Sequence, residues 1–413
     1  MKKNHILSII LILSLTGIVK AQNTVSPYSI FGPGEIMPKG FGRALGMGGS
    51  GMAIASDIRL NNLNPASYSG IPKQNFIFEI GTDGKFSTFK SGGKKNSGFN
   101  SNLRYVAFGF RATNWWAISM GVSPYSSIGY NISSQSTIEG SSDMYSSLFK
   151  GSGGISQFYM ANAFKIGKNL SVGVNTSYLF GPLIKTENVV QNSLNASYVL
   201  TQNDYFKTFY LEYGLQYGFN IKGLRYLLGV VYANQQSLVS DNTTTIETSS
   251  GYIMARETGK STKSKVPEDI GGGIGVSKPG VFLVTADYQY QKWEKIKYPT
   301  MAGRFQNAYT ASAGIELKPW PERVTNKFYQ NLLYRAGFNY NSSYLKIKEN
   351  HIQSYAATLG VGVPLRGNRS SLNIALELGK TGTSRNRLVE EKYLMLHLNF
   401  SLNELWFFKK VIY

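Results

Sequence analysis

Side chains able to carry covalent or metal chemistry are scarce in this chain. Its only histidines are His5, His351 and His397, and it has no cysteine. Without cysteine there are no disulfides, no thiolate metal sites and no lipid attachment at an N-terminal thiol. His5 falls in an N-terminal leader and His351 in an expected turn. His397 lies on the polar face of the last expected strand, where a structural hydrogen bond is its simplest role. No metal-binding cluster and no Ser-His-Asp arrangement is visible. The expectation is a protein that is not an enzyme and holds no cofactor and no metal.

Three glycine-rich stretches resemble ligand loops and fail on context. Gly46-Met47-Gly48-Gly49-Ser50-Gly51 imitates a dinucleotide loop, but that motif needs a preceding strand, a following helix and an acidic residue about 20 positions on. Gly259-Lys260-Ser261-Thr262 imitates the end of a phosphate loop, yet Met254 stands where the required glycine should be. Ile270-Gly271-Gly272-Gly273-Ile274-Gly275 reads as tight sheet packing or a bulge.

The elements around these residues point to export and a membrane. Lys2 and Lys3 precede an apolar run from Ile6 to Val19, and Val19-Lys20-Ala21 suits a cut after Ala21. That is the layout of a signal peptide, and the run is short for a bilayer-spanning helix. Glycine accounts for 44 of 413 residues and aromatics for 13%. Beyond the leader no apolar run reaches the roughly 20 residues of a helical span. The formal charge is +20, but the basic residues are scattered and no helix carries a basic stripe. An anionic lipid surface suits them better than nucleic acid, which is not expected as a partner.

The dominant signal has period two. Leu211, Tyr213, Leu215, Tyr217, Phe219 and Ile221 alternate with Glu212, Gly214, Gln216, Gly218 and Asn220. Successive side chains of a strand point to opposite faces, so one face is apolar and the other wet. At about 11 residues this segment has the length of a tilted membrane-crossing strand. The pattern recurs in about 14 segments, near 74–82, 100–112, 115–131, 153–166, 170–183, 206–221, 224–238, 266–277, 280–293, 305–318, 332–347, 352–365, 371–381 and 391–403. The expected fold is all-β, a transmembrane antiparallel barrel of about 14 strands, closed because hydrocarbon offers an unpaired backbone group no partner. Tight links at 113–114, 167–169, 222–223 and 278–280 alternate with long polar ones at 83–99, 132–152, 184–205 and 239–265, which are expected to be outer loops. Two links break the rule: 319–331 is long for a turn and 348–351 short for an outer loop.

Residues 25–70 do not alternate. They contain GRALGMGGSGMAIASD, from Gly42 to Asp57, followed by Asn64-Pro65-Ala66. Further on come Val266-Pro267-Glu268, then ADYQYQKW ending at Trp293, and Tyr334-Arg335-Ala336-Gly337-Phe338-Asn339-Tyr340. In this order these features resemble the long-chain fatty acid and aromatic-hydrocarbon transporter family of outer-membrane barrels (the FadL-like group).

The resemblance implies a 14-stranded barrel with an N-terminal hatch in its lumen. The expected organisation is a signal peptide at 1–21, a hatch at 22–73 and a barrel at 74–413, located in the outer membrane after Sec export. It also implies passive uptake of a hydrophobic small molecule, released sideways beside a kinked third strand. Gly121 and Pro124 are the proposed kink, since proline cannot donate to a sheet ladder. Asn64, Pro65 and Ala66 are the hatch motif, with the Asn64 amide expected to satisfy backbone groups at that kink. The chain lacks a matching cluster of basic ligand-binding residues, so the ligand site is left open. Expected partners are outer-membrane lipid and lipopolysaccharide, a hydrophobic ligand and the machinery that assembles barrels, with the protein itself a monomer. The alternative function is a barrel component or scaffold of a protein secretion or surface-attachment system of the type IX kind. A transporter needs a continuous apolar pocket opening sideways, whereas a scaffold can have a filled lumen.

Overall fold

The computed structural model describes residues 26–140, 143–191, 196–298, 304–320, 327–347, 349–365 and 370–406. The expected leader at 1–21, its cut after Ala21 and His5 lie outside the described residues.

Alternating side chains build a closed antiparallel barrel of 14 wall strands. In chain order these are β1 (Asn75–Ser91), β2 (Lys94–Arg111) and β3, in two pieces at Trp116–Pro124 and Tyr130–Thr137. β4 comprises Met144–Gly153 and Ser156–Ile166, β5 is Leu170–Gln191 and β6 is Ala196–Ile221. β7 comprises Leu224–Ala233 and Gln236–Thr248, and β8 comprises Ile253–Thr258, Thr262–Val266 and Asp269–Lys278. β9 is Phe282–Gln291, β10 is Arg304–Phe305 with Ala308–Leu317, and β11 is Leu333–Ile347. β12 (Asn350–Pro364), β13 (Ser371–Gly382) and β14 (Glu390–Leu405) complete the wall, and β14 pairs with β1 from Asn75↔Leu405 to Lys90↔Glu390.

The facing of side chains follows the alternation. Tyr217 is 40% exposed on the outer face and its neighbour Gln216 only 5% exposed on the inner one. Aromatic contacts mark two levels on the outside. Near the short turns Phe76 stacks on Trp406 at 4.1 Å, Trp115 on Phe164 at 5.8 Å and Phe219 on Tyr226 at 5.5 Å. Toward the other end Tyr178 meets Phe209 at 5.2 Å and Tyr309 meets Tyr340 at 5.8 Å. Between Phe209 and Phe219 β6 has the run that crosses a hydrocarbon core.

Most of the expected long outer loops are strand. Segments 83–99, 132–152, 184–205 and 239–265 largely extend the barrel hairpins beyond the apolar band. Gly92 and Gly93, at φ 54° and 81°, close one of them as a two-residue turn that only residues tolerant of positive φ allow. The polar Ser, Thr and Asn content of these segments indicates water on both faces, but β-branched threonines such as Thr243, Thr244 and Thr245 keep them in a ladder, opposite Thr258, Glu257 and Arg256. The short link near 348–351 is likewise a hairpin, with Glu349 at φ 62°. The long one at 319–331 ends in a 3-10 turn, Phe328–Asn331, and its residues 321–326 lie outside the described residues.

Candidate functional site

Residues 26–74 pack against the inner face of this wall, and the wall is shaped for them. Gly173 on β5, Gly214 on β6, Gly229 on β7, Gly273 on β8, Gly314 on β10, Gly337 on β11 and Gly360 on β12 all face inward along one belt. A Cβ at Gly173 would lie 2.4 Å from the Ala66 nitrogen, one at Gly214 2.1 Å from Asn64 Oδ1, and one at Gly229 2.4 Å from the Met52 oxygen. At Gly314 it would lie 2.4 Å from the Met47 oxygen, and at Gly337 2.2 Å from the Gly48 nitrogen. The segment therefore rests directly on wall backbone, which any larger residue would prevent. On β9 the belt is completed by Asp287, the ladder partner of Gly273. Its Oδ2 accepts hydrogen bonds from the backbone nitrogens of Gly51 at 2.6 Å and Met52 at 2.9 Å. GlyGly-rich sequence around 46–51 thus binds a carboxylate of its own barrel, and the Ile270–Gly275 run supplies the close packing expected of it.

Polar side chains hold the rest. Gln216 Nε2 donates to the Met52 and Ile54 oxygens at 2.7 and 3.1 Å. Thr358 Oγ1 accepts from Gly48 N at 2.9 Å. Arg335 donates to Glu316 at 2.7 Å, and Arg43 from the N-terminal segment joins the same carboxylate. Burial pushes the Asp57 carboxyl up, but Arg59 and Arg43 together hold it below the usual carboxylate range. Lys39 forms an ion pair with Glu212 of β6.

The third strand is broken where proline ends its first piece. Among the described residues β2 and β3 pair from Val106↔Val122 to Arg111↔Ala117. Beyond Pro124 the chain leaves β2 and turns inward, and residues of the N-terminal segment take over as its partner. Glu35↔Ser127 and Ile36↔Ser126 form a short antiparallel ladder. Met37 N donates to the Tyr125 oxygen at 3.0 Å and Ser26 N to the Gly129 oxygen at 2.8 Å. On its other side the strand keeps its wall neighbour, with Ile128 N donating to the Gly153 oxygen at 3.0 Å. When strand 3 resumes, Tyr130–Thr137 pairs with β4. Gly121 lies just before the break, where a Cβ would meet the Val106 oxygen at 2.5 Å and the Tyr159 ring at 2.8 Å.

Asn64 does not serve this kink. Its Oδ1 caps the 3-10 turn Pro65–Gly70 by accepting from Ala66 N at 2.9 Å. Its Nδ2 donates to the oxygens of Met52, Leu215 and Val230 at 3.1, 3.1 and 3.2 Å. Leu215 and Val230 belong to β6 and β7, so Asn64-Pro65-Ala66 is a wall anchor on another part of the barrel. The reason is positional: Asn64 comes 27 residues after Met37, the residue that meets the kink, and the chain has by then crossed the lumen.

Above the segment lies a cavity of about 300 Å³. Its lining is mixed: the charged Glu35, Asp83, Lys85, Arg104, Glu377 and His397 share it with apolar residues such as Leu45, Met52, Leu63, Leu345, Ile352 and Met395. His397 sits inside the lumen, as the alternation predicts, with Nδ1 2.5 Å from Asp83 and Nε2 3.4 Å from Glu377. Arg104 donates to Asp83 at 2.8 Å and to the Pro38 oxygen at 2.7 Å. Nearby the lumen is filled by apolar side chains that pack on one another: Trp293 stacks on Tyr344 at 4.3 Å, with Tyr28, Ile296, Tyr298 and Leu345 in the same cluster. His351 is exposed at the start of β12.

The fold is shared with solved barrels. A FadL homologue of Pseudomonas aeruginosa is 11% identical with a TM-score of 0.60, covering 90% of this chain and 100% of the other. The toluene transporter TodX of P. putida is 15% identical with a TM-score of 0.58, covering 90% and 100%. The toluene transporter TbuX of Ralstonia pickettii is 16% identical with a TM-score of 0.53, covering 88% and 98%. No curated protein matches at the level of sequence. The 14-stranded FadL-like architecture expected from the motifs is therefore the observed one. A family model matches the sequence from residue 1 to residue 412, and by that match the chain belongs to the BamG family.

Proposed function

We propose that the protein is an outer-membrane barrel that works on or with other proteins, as a component of the barrel assembly machinery at which its family name points. One observation carries this reading: among the described residues much of the lumen is filled by the chain's own side chains and N-terminal segment. Residues 26–74 are seated on the glycine belt, the cavity beside them has the buried Asp83–Arg104 ion pair in its mixed lining, and the Trp293–Tyr344 cluster packs within the barrel. A filled lumen suits a protein that presents surfaces and edges to partners.

The test is purification of the tagged protein from outer membranes in mild detergent, joined to its depletion in cells. Stoichiometric recovery with the central assembly barrel is expected. Depletion should lower the amount of other heat-modifiable barrels and leave uptake of labelled fatty acid and toluene unchanged.

A second reading, passage of hydrophobic compounds with sideways release, is favoured by the break in the wall after Pro124 and by the transporter fold. Reduced probe uptake on depletion, with other barrels unaffected, would establish it in place of the first.

A further inference from the structure

The outward face of β12, β13, β14, β1 and β2 changes character in register near its outer end. Leu378↔Leu394, Leu394↔Phe86 and Phe86↔Phe99 form one exposed apolar row across four strands. Two residues further out, Tyr355↔Lys380, Lys380↔Lys392, Lys392↔Thr88 and Thr88↔Ser97 form the next row. The row beyond it runs Gly382↔Glu390, Glu390↔Lys90 and Lys90↔Lys95. Alternate residues of a strand share a face, so all three rows lie on the outside of the wall. Pairing thus gathers Lys380 of β13, Lys392 of β14, Lys90 of β1 and Lys95 of β2 immediately beyond the apolar surface.

The level of these rows follows from strand geometry. Phe76 marks the aromatic belt near the short turns, and Phe86 lies ten residues further along β1. That is about 33 Å along the strand and about 25 Å along the membrane normal at the usual tilt, the height of a barrel's apolar band. The lysine rows therefore stand at the headgroup level of the outer leaflet. Tyr340, the ladder partner of Tyr355, belongs to the outer aromatic belt and marks the same level. Charge is unbalanced there. Glu390 is the carboxylate of the two rows, 3.0 Å from Lys380 and 4.0 Å from Lys392, so four lysines share it. Two exposed lysines elsewhere on the outer face each have a carboxylate of their own, Lys207 with Asp241 and Lys292 with Glu268. Arg385 and Arg387, exposed in the hairpin between β13 and β14, add positive charge above the patch.

We propose that this patch is a binding site for a phosphorylated glycolipid of the outer leaflet, of the lipopolysaccharide class. Its phosphates meet Lys90, Lys95, Lys380 and Lys392, and its acyl chains lie along Leu378, Leu394, Phe86 and Phe99. The hydroxyls of Thr88 and Ser97, 3.3 Å apart at the centre of the patch, donate to its headgroup oxygens. Three interstrand spacings separate β13 from β2, roughly 14 Å. That width suits a disaccharide headgroup bearing several chains, whereas the single phosphate of a phospholipid would meet only adjacent lysines. The site depends on the barrel's place in the outer membrane and not on its protein-handling function.

Titration of purified lipopolysaccharide into the delipidated barrel in mild detergent tests it, with half-occupancy read by native mass spectrometry. Lys90→Gln combined with Lys392→Gln should raise the half-occupancy concentration about 25-fold, about fivefold for each lysine facing an anionic lipid. Lys207→Gln combined with Lys292→Gln removes the same charge where each lysine has its own carboxylate, and should change it by no more than about twofold. Lipopolysaccharide stripped of phosphate should bind the parent about as weakly as the native lipid binds the first double variant. Phosphatidylglycerol should bind the parent about fivefold or more weakly than lipopolysaccharide, because its one phosphate meets fewer lysines. Folding of each variant is checked by heat modifiability, and Lys95→Gln alone, with about a fivefold loss expected, carries the measurement if the double variant does not fold. Equal weakening in the two double variants, undiminished binding of the dephosphorylated lipid, or equal binding of phosphatidylglycerol would overturn the proposal. So would a protein that the parent retains and the first double variant releases while lipopolysaccharide binding stays unchanged.

Discussion

The backbone nitrogen of Gly51 donates to the Asp287 carboxylate over 2.6 Å, joining residues 236 positions apart in sequence. Met52 N donates to the same oxygen. Hydrogen bonds to a charged group contribute about 1.5–3 kcal/mol. Asp287→Ala should therefore speed amide exchange across residues 46–56 by about 10- to 100-fold, with exchange in β9 little changed. Unaltered exchange in 46–56 would show that the glycine belt alone holds the segment.

Substitution within that belt should act by collision. Gly337→Val places atoms where Gly48 N and Met47 C lie 2.2 Å from a Cβ. Overpacking of this kind costs about 1–3 kcal/mol. The expected outcome is a barrel that still shifts on a gel when boiled but whose N-terminal segment is cut by added protease. Gly272→Ala is the control, because its nearest neighbour stands 3.9 Å away on the outward side.

The wall register predicts unequal costs at adjacent positions. Tyr217→Lys puts a charge against lipid and should weaken folding into bilayers by about 2–4 kcal/mol. Gln216→Lys faces the lumen, where the ammonium can still donate to the Met52 and Ile54 oxygens, and should cost clearly less. Urea titration in liposomes separates the two, and equal midpoints would refute the assigned facing.

Among the described residues Asn64 and Pro124 share no hydrogen-bond or ladder partner. Asn64→Ala removes a turn cap, worth about 1 kcal/mol, and the contacts to β6 and β7. Pro124→Val acts on β3. Their effects on stability should add to within about 0.5 kcal/mol. A larger coupling energy in the double variant would mean that the hatch motif and the kink act as one unit.

Much of this protein is determined by the sequence itself. Period-two alternation in Leu211–Ile221 and its repeats specifies strands, their length, their inward and outward faces and hence a closed barrel, because these are local consequences of strand geometry and of a solvent without hydrogen bonds. The failure of the Gly46–Gly51 stretch as a cofactor loop is equally local. The lumen position of His397 follows from the same counting, but not its partners. Asp83 and Glu377 lie on β1 and β13, the two neighbours of β14, and only closure of the barrel brings them together.

What the tertiary structure alone decided is pairing across long separations. Polar runs such as 239–265 read as loops because alternation vanishes when both faces meet water, yet the ladder continues through them. The inward glycines from Gly173 to Gly360 were visible on the polar phase of successive strands, but their purpose depends on a segment threaded past all of them. The partner of the Pro124 kink is Glu35–Met37 rather than Asn64, because which part of a threaded chain passes a given gap is set by its path through the lumen. Composition does not encode that path.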